Sequence, residues 1–250
     1  NGRHLIDPRV QHDITMAVDD FGNPTRSASI AYKRRQTSFA EQDNDLISIT
    51  RHDFVSPLQT RTDFRHSAVV ATAQHELTGF SRSQGSAYSI AALSTAFTNA
   101  QDIGYAEQPA SGQLQKRKLN HQVTLFWRDD LSGSEAIGDI AFHGLAYESY
   151  QLALTPNLRR TIFGNNRLTH AMGQEGGYRK KTGDTWLPAG SGDWWIPSGV
   201  QTFASTQFYL PTESIDPFGN TTSVQYDPYH LFPVRRTDPL NNIQEGLVDY

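Results

Sequence analysis

The sequence predicts a mainly β protein of stacked antiparallel hairpins that form a curved sheet or shell segment, with two or three short helical inserts. One observation is a turn motif: residues 216–220 read Asp-Pro-Phe-Gly-Asn, and 22 residues later residues 238–242 read Asp-Pro-Leu-Asn-Asn. Another is an echo near the start, Asp-Asp-Phe-Gly-Asn at residues 19–23. Strand-like segments follow the turns, and this order at a period near twenty is typical of repeated hairpins that stack side by side.

Each copy of the motif has the chemistry of a tight turn. Asp can bond its own downstream backbone, Pro presets φ, and Gly or Asn tolerates positive φ. These turns would set the register of the strands and space successive hairpins evenly. The predicted structural turn residues are Asp20, Gly22, Asn23, Asp216, Pro217, Gly219, Asn220, Asp238, Pro239 and Asn241.

The first third of the chain has the alternation of half-buried strands. Apolar and polar residues alternate on both sides of the first turn, which predicts a hairpin over residues 11–32. Further strands are predicted over residues 45–54 and 68–77.

The middle of the chain mixes helices with strands. Apolar residues at helical spacing predict a helix within residues 86–100, and residues 113–128 return to a strand pattern. Thr155 followed by Pro156 is a favourable helix start, and Gly164 is a favourable end. A short second helix is predicted over residues 167–174, an ordered Trp-rich loop over 182–199, and alternating strands and turns over the last fifty residues.

The whole chain, 1–250, is predicted to be a single β-rich fragment of a longer protein. It comprises a hairpin region (7–80), a strand and helix insert region (81–200) and a repeat region (201–250). The first residues contain neither an initiator Met nor the apolar core of a signal peptide.

Composition argues against several classes of function. The net charge of -4 gives no basic excess for a nucleic-acid partner, and the chain has no cysteine for disulfides or thiol chemistry. No apolar run approaches the roughly 20 residues that span a bilayer, so no direct membrane insertion is expected.

Candidate chemical sites are weak in this sequence. The nine histidines lack metal-ligand spacing, so neither a metal nor a cofactor is expected. Carboxylates for glycoside hydrolysis would have to converge across a cleft, and the Asp129–Asp130 pair is better explained by a turn. The aromatic loop that carries Trp186, Trp194 and Trp195 could stack on sugar rings or pack over the sheet, and packing is favoured. Glu148 and Glu175 complete the set of carboxylates considered.

An ordered series of sequence blocks lies at residues 7–10, 28–32, 147–150, 152–156, 175–178, 194–199, 208–211 and 216–220. The Trp-Trp-Ile-Pro-Ser-Gly block before the repeat is its most specific part. Together these blocks resemble the middle to C-terminal region of the B component of bacterial Tc (ABC-type) insecticidal toxin complexes, a region that belongs to the Rhs/YD-repeat class.

The resemblance implies that the chain is part of a hollow β-shell that the B component winds with the partner C component. The shell would hold the toxic C-terminal segment of the C component unfolded, and the rest of the B component would dock it onto the A-component pore. A secreted or released bacterial virulence complex is therefore expected. The self-cleavage motif of the C component has no counterpart at Asp216 or Asp238, so no catalytic residue is carried over and the chain is expected not to be an enzyme. The alternatives are a carbohydrate-binding β module that uses the tryptophan loop, or part of another Rhs-type polymorphic toxin.

Overall fold

The computed structural model describes residues 8–35, 39–62, 64–82, 86–165, 167–180 and 192–250. In these residues the helices are α1 (Ile90–Asn99), α2 (Pro156–Phe163) and α3 (His170–Glu175), with short 3-10 turns at Ala40–Asp43 and Ser205–Gln207. The strands are β1 (Gln11–Val18), β2 (Pro24–Ala31), β3 (Leu46–Val55), β4 (Leu58–Gln59), β5 (Phe64–Arg65), β6 (Ala68–Thr78), β7 (Gln101–Ile103), β8 (Gln115–Phe126), β9 (Ala146–Leu154), β10 (Arg179–Lys180), β11 (Trp194–Pro197), β12 (Val200–Ala204), β13 (Leu210–Ile215), β14 (Thr221–Tyr226), β15 (Pro233–Thr237) and β16 (Ile243–Glu245).

The chain divides into two compact units. The first comprises residues 1–54 and 71–121, and the second comprises residues 55–70 and 122–250. The predicted three-region division of a single fragment stays a prediction.

In the first unit, β1, β2 and β3 form an antiparallel sheet, with Ser29 opposite both Asp13 and Ser48. Alternate residues of β2 and β3 are buried, among them Ile30 and Ile49, and they share one core with Leu93 of α1. The helix starts where Ser89 accepts a hydrogen bond from the Ala92 backbone N–H at 3.2 Å. The apolar residues on one face of α1 and the alternate apolar residues of the strands therefore pack in the same core.

In the second unit, β9 pairs antiparallel with residues 122–126 of β8 on one side and with β11 on the other. The buried residues here include Val123, Leu125 and Tyr150. A separate five-stranded antiparallel meander follows in the order β12-β13-β14-β15-β16. We call this meander the repeat sheet.

The predicted fold class is confirmed: the protein is mainly β, its sheets are almost wholly antiparallel, and the helices are short. The hairpin, the α1 helix and the strand–turn alternation of the last fifty residues lie where the sequence predicts them. In α2, Thr155 caps the N-terminus by accepting from the Leu158 N–H, and Gly164 ends the helix. The predicted loop at 182–199 is wrong at its C-terminal end, because residues 194–197 form β11 by pairing with β9.

Candidate functional site: the aspartate turns and the tryptophan strand

The turn at residues 216–220 is held by one carboxylate. Oδ1 of Asp216 accepts the backbone N–H groups of Phe218 at 2.8 Å and Asn220 at 2.9 Å, and Oδ2 accepts the Asn220 side-chain amide at 2.8 Å. Backbone bonds join the Asp216 N–H to the Asn220 carbonyl, and the Gly219 N–H to the Asp216 carbonyl, each at 3.0 Å. We call this five-residue arrangement the aspartate turn.

The same arrangement recurs at residues 238–242. Asp238 accepts from the N–H groups of Leu240 and Asn242 at 2.9 and 2.8 Å, and from the Asn242 side chain at 2.8 Å. Asn241 takes the position of Gly219 with φ +64°, and its N–H donates to the Asp238 carbonyl at 3.0 Å. The two copies therefore share one geometry, as their sequence similarity predicts.

The third copy, at residues 19–23, requires a correction. Its anchoring carboxylate belongs to Asp19, which accepts the N–H groups of Phe21 and Asn23 at 2.9 Å and the Asn23 side chain at 2.8 Å. The sequence prediction named Asp20, but the first of the two aspartates aligns with Asp216, and Asp20 takes the position of Pro217. Gly22 adopts the expected positive φ, +82°.

These hydrogen bonds favour the charged carboxylates. The side-chain amide of the final Asn, followed by backbone N–H groups, holds the pKa of Asp216 and that of Asp238 below the usual range. For Asp19 the Asn23 amide is again the largest cause of a lowered pKa. All three turns therefore use ionised aspartates as fixed acceptors.

A fourth turn was missed from the sequence. Asp227 accepts the N–H groups of Tyr229 at 2.9 Å, Leu231 at 2.7 Å and Phe232 at 2.6 Å, and its side chain also accepts from the Tyr250 hydroxyl. Burial alone would raise the pKa of Asp227, but these hydrogen bonds outweigh burial and lower it. The turn is one residue longer than the others, with His230 at φ +58°. The signal in the sequence was the Asp-Pro dipeptide itself, which starts at residues 216, 227 and 238, 11 residues apart.

The repeat sheet buries none of its own strand residues. Every residue of β12 to β16 is exposed or only partly buried. Polar pairs occupy both faces: Glu213 lies opposite Ser223, and the next pair, on the other face, is Ser214 opposite Thr222. Antiparallel sheets commonly pack one face on a core, so two half-exposed polar faces are a distinctive property of this sheet.

The tryptophan strand is a packing site. Trp194 in β11 is 2% exposed, with the Arg159 guanidinium 5.0 Å from its ring centroid and the Tyr178 ring at 5.9 Å. Gly173 of α3 lies so close that an added methyl group would be 1.5 Å from Trp194 Cζ3. Trp195 is 1% exposed. Neither ring offers a face to a sugar, which agrees with the favoured packing of these residues. The loop assignment of Trp194 and Trp195 is corrected, because both lie in strand β11, and Trp186 lies outside the described residues.

The candidate carboxylates serve local structure. Asp129 accepts from the Nδ1 of His143 at 2.7 Å and from the backbone N–H groups of Phe142 and His143. Asp130 accepts from the Ser132 N–H at 2.9 Å, as expected of a turn. Glu148 accepts a hydrogen bond from the Tyr150 hydroxyl. Within the described part of the chain, no hydrogen bond joins Glu175 to Asp129, Asp130 or Glu148.

Two histidines of the first unit have lowered pKa values. Burial, then the nearby Lys118 charge, lowers the pKa of His75 to about 4, and the same two causes lower that of His121 to about 4. The His75 ring packs edge-on against Phe97 at 5.5 Å. Within the described residues no group of three or more His, Cys, Asp or Glu side chains is placed to hold a metal ion.

Comparisons with known proteins agree with this architecture. Residues 2–78 match the family model described as "Insecticide toxin TcdB middle/C-terminal region". A comparison with curated protein sequences gives no match. Among the described residues, none of the helices is both long and apolar enough to cross a membrane.

Solved structures share the fold. A crystal structure of TcdB2-TccC3-TEV aligns over 97% of this chain and 13% of its own, with a TM-score of 0.64 and 16% identity. A TcdB2-TccC3 structure without the hypervariable C-terminal region gives a TM-score of 0.63, 17% identity and the same coverages. The Photorhabdus luminescens Tc holotoxin pore with the TccC3-D651A mutation gives 0.61 and 15%, over 93% of this chain and 12% of that chain.

This chain therefore spans about an eighth of the length of these chains, 12–13%. At sequence identities of 15–17%, the structural similarity is evidence of a shared fold alone. The family match adds similarity in sequence, over residues 2–78. Together they confirm the resemblance of this chain to the middle/C-terminal region of Tc toxin B components.

Proposed function

We propose that this chain is a non-catalytic section of the shell wall of a toxin-complex B component. The wall encloses the unfolded toxic segment of the partner C component and protects it until delivery through the A-component pore. The similarity to TcdB2-TccC3 and to the Tc holotoxin pore supports these partners and a released toxin complex. The role requires neither a cofactor nor a catalytic residue.

The observation that carries the proposal is the repeat sheet. A wall between a wet interior and the surrounding solvent has water on both faces, so it needs polar residues on both. All strand residues of β12 to β16 are at least partly accessible, and the paired residues of both faces are largely polar. A sheet that formed half of a hydrophobic core would instead bury one face.

The buried tryptophans support the same role. A carbohydrate-binding module needs exposed aromatic platforms, but Trp194 and Trp195 are both buried. The Trp194 ring instead packs against Gly173 of α3. The described aromatic residues of this segment therefore favour a structural role.

The proposal is tested with the full-length parent protein and its C component. The two are co-expressed and purified as a complex, and protease resistance of the toxic segment is compared with that of the free C component. We expect strong protection, because an enclosed chain is inaccessible to protease. A toxic segment digested equally fast in both preparations would contradict the proposed function.

Two glycine variants test whether protection of the toxic segment depends on the aspartate turns. Gly219 has φ +87° with open space around it, so Gly219→Val introduces backbone strain of roughly 1–2 kcal/mol without a steric clash. Gly246 also has open space but no positive φ, so Gly246→Val is the matched control. We expect Gly219→Val alone to lower the yield of protected complex, and equal yields would show that the turn does not support assembly.

A further inference from the structure

In the first unit, the C-terminal half of α1 contacts the sheet around one aromatic ring, that of Phe97. The His75 ring of β6 meets it edge-on, with the ring centroids 5.5 Å apart. The Lys116 Nζ lies 5.0 Å from the same centroid, and the Arg26 guanidinium lies 5.4 Å from it. Lys116 also donates to the Phe97 carbonyl at 3.1 Å. Two permanent cations and a histidine therefore surround one ring, and we call these four residues the α1 latch.

The buried nitrogen of His75 has no acceptor for a proton. Its Nδ1 is buried, and within the described residues no hydrogen bond reaches it. A neutral imidazole can leave one nitrogen without a proton, whereas a charged imidazole carries an N–H on both nitrogens. Charging His75 in the closed latch would therefore bury an N–H that has no partner, and this destabilises the closed arrangement.

The charges around His75 give a further positive charge no compensation. The nearby cationic or titratable groups are Arg26 of β2, Arg51 of β3, and Lys116, Lys118 and His121 of β8. The nearby carboxylates are already paired: Asp102 of β7 with Lys116 at 3.5 Å, and Asp53 of β3 with Arg51 at 2.8 Å.

The elements that carry the latch add no free carboxylate either. Glu76, the next residue of β6, pairs with Arg117 of β8 at 2.7 Å. The helix α1, Ile90–Asn99, contains no charged residue at all. A proton on His75 would therefore meet an excess of positive charge, with no carboxylate left to balance it.

We propose that the α1 latch opens in acid: a proton on His75 releases the C-terminal half of α1 from the sheet, while the sheet stays folded. At neutral pH the uncharged His75 ring packs on Phe97, and the latch is closed. A charged His75 gains water as a hydrogen-bond acceptor only when Phe97 moves away. The pKa of His75 is lowered from 6.5 to about 4, so opening is favoured progressively as the pH falls from 6.5 toward 4.

Another histidine of the same sheet provides a matched control. The Nδ1 of His52 in β3 lies 3.0 Å from the Thr72 hydroxyl. A hydroxyl can donate or accept by turning its proton, so this partner suits the neutral and the charged imidazole equally. His52 therefore lacks the feature that makes His75 sensitive to acid.

The test measures access to the buried side of α1 in the full-length parent protein. Ala96→Cys places a thiol at a buried position of the helix, and dithiodipyridine labels it, because this reagent reacts with thiols in acid as well as at neutral pH. Thr95→Cys, at an exposed position of the same helix, corrects for the effect of pH on the reagent. Val123→Cys, buried in β8, reports unfolding of the sheet. Labelling at each position is read by peptide mass spectrometry.

We expect the labelling rate at position 96, relative to position 95, to rise about thirtyfold between pH 7.5 and pH 5. This is the limit set by a pKa of 6.5 in the open latch and about 4 in the closed one. His75→Gln should reduce the rise by about tenfold or more, since glutamine does not titrate. His52→Gln should leave the rise unchanged, and position 123 should stay protected.

An unchanged rate ratio with His75 in place would overturn the proposal. An equal rise at position 123 would also overturn it, because acid would then unfold the sheet together with the helix. Both outcomes are decided without His75→Gln, so they hold even if that variant does not fold, and a folded His75→Gln protein with the full rise would be a third refutation. The inference is independent of the proposed function, whose protease-protection assay is carried out separately at neutral pH.

Discussion

Substitution of Gly173 by Ala tests whether the tryptophan strand is as tightly packed as the structure indicates. Gly173 lies inside α3, and an added methyl group would be 1.5 Å from Cζ3 and 1.9 Å from Cη2 of Trp194. The tryptophan ring has little room to retreat, because it is 2% exposed and Arg159 covers it. The substitution therefore has two opposite effects: Ala has a higher helix propensity than Gly, but its methyl group clashes with the Trp194 ring.

The clash should prevail. Ala is favoured over Gly in a helix interior by about 1 kcal/mol. Carbon atoms normally pack about 3.5–4.0 Å apart, so the added methyl lacks about 2 Å of space. Overpacking of this kind costs about 1–3 kcal/mol, and the upper end applies where the backbone itself must move. We expect Gly173→Ala to lower the free energy of unfolding by about 2 kcal/mol, the difference between about 3 and about 1.

The measurement is urea unfolding followed by circular dichroism. Gly176→Ala is the matched control, because its added methyl would meet nothing closer than 3.4 Å and its φ is ordinary, -75°. In a Trp194→Leu background the clash is removed, so Gly173→Ala should become neutral or stabilising. A Gly173→Ala protein as stable as the wild type would refute the reasoning.

Three further changes test other parts of the structure. Asp19→Ala should lower the midpoint temperature of thermal unfolding, because three hydrogen bonds are lost. Asp20→Ala is the control, because Asp20 makes none of these three bonds, and it should leave the midpoint unchanged. Equal midpoints for the two variants would contradict the corrected turn. Gly199→Ala should reduce urea stability by about 1–3 kcal/mol, since the residue has φ +87° and an added methyl would lie 2.3 Å from a carbonyl oxygen of the neighbouring strand. The pKa of His75 is lowered from 6.5 to about 4, so its contribution to stability is complete above pH 6.5 and is lost as the pH falls toward 4. His75→Phe should therefore flatten the fall in stability between pH 7 and pH 4.5, and an unchanged slope would contradict this.

Much of the fold could be predicted because local chemistry and global structure agree. Each aspartate turn is determined by five consecutive residues. These include the Asp that accepts the hydrogen bonds, the Gly or Asn at positive φ, and the final Asn. The start of α2 is equally local, with Thr155 as the cap and Pro156 as the first helical residue. These features depend on no distant partner.

The features that could not be predicted depend on distant partners or on residues that are unusual in a turn. Trp194 and Trp195 follow glycine-rich sequence, and their strand exists because it pairs with β9, about forty residues earlier. The Asp227 turn was missed because its positive-φ residue is His230, where Gly or Asn is usual, and because it is one residue longer. The burial of Asp227 also depends on a residue outside the turn, Tyr250.

The polar faces of the repeat sheet explain why its turns are so regular. In a sheet with one buried face, a one-residue slip exposes the apolar side chains, and this cost fixes the register. The repeat sheet lacks that penalty, because none of its strand residues is buried. Its register must therefore be set at the ends of the strands, where Asp216, Asp227 and Asp238 close successive turns. Substitutions on the faces of β14 and β15 should then be tolerated far better than loss of any one of these carboxylates.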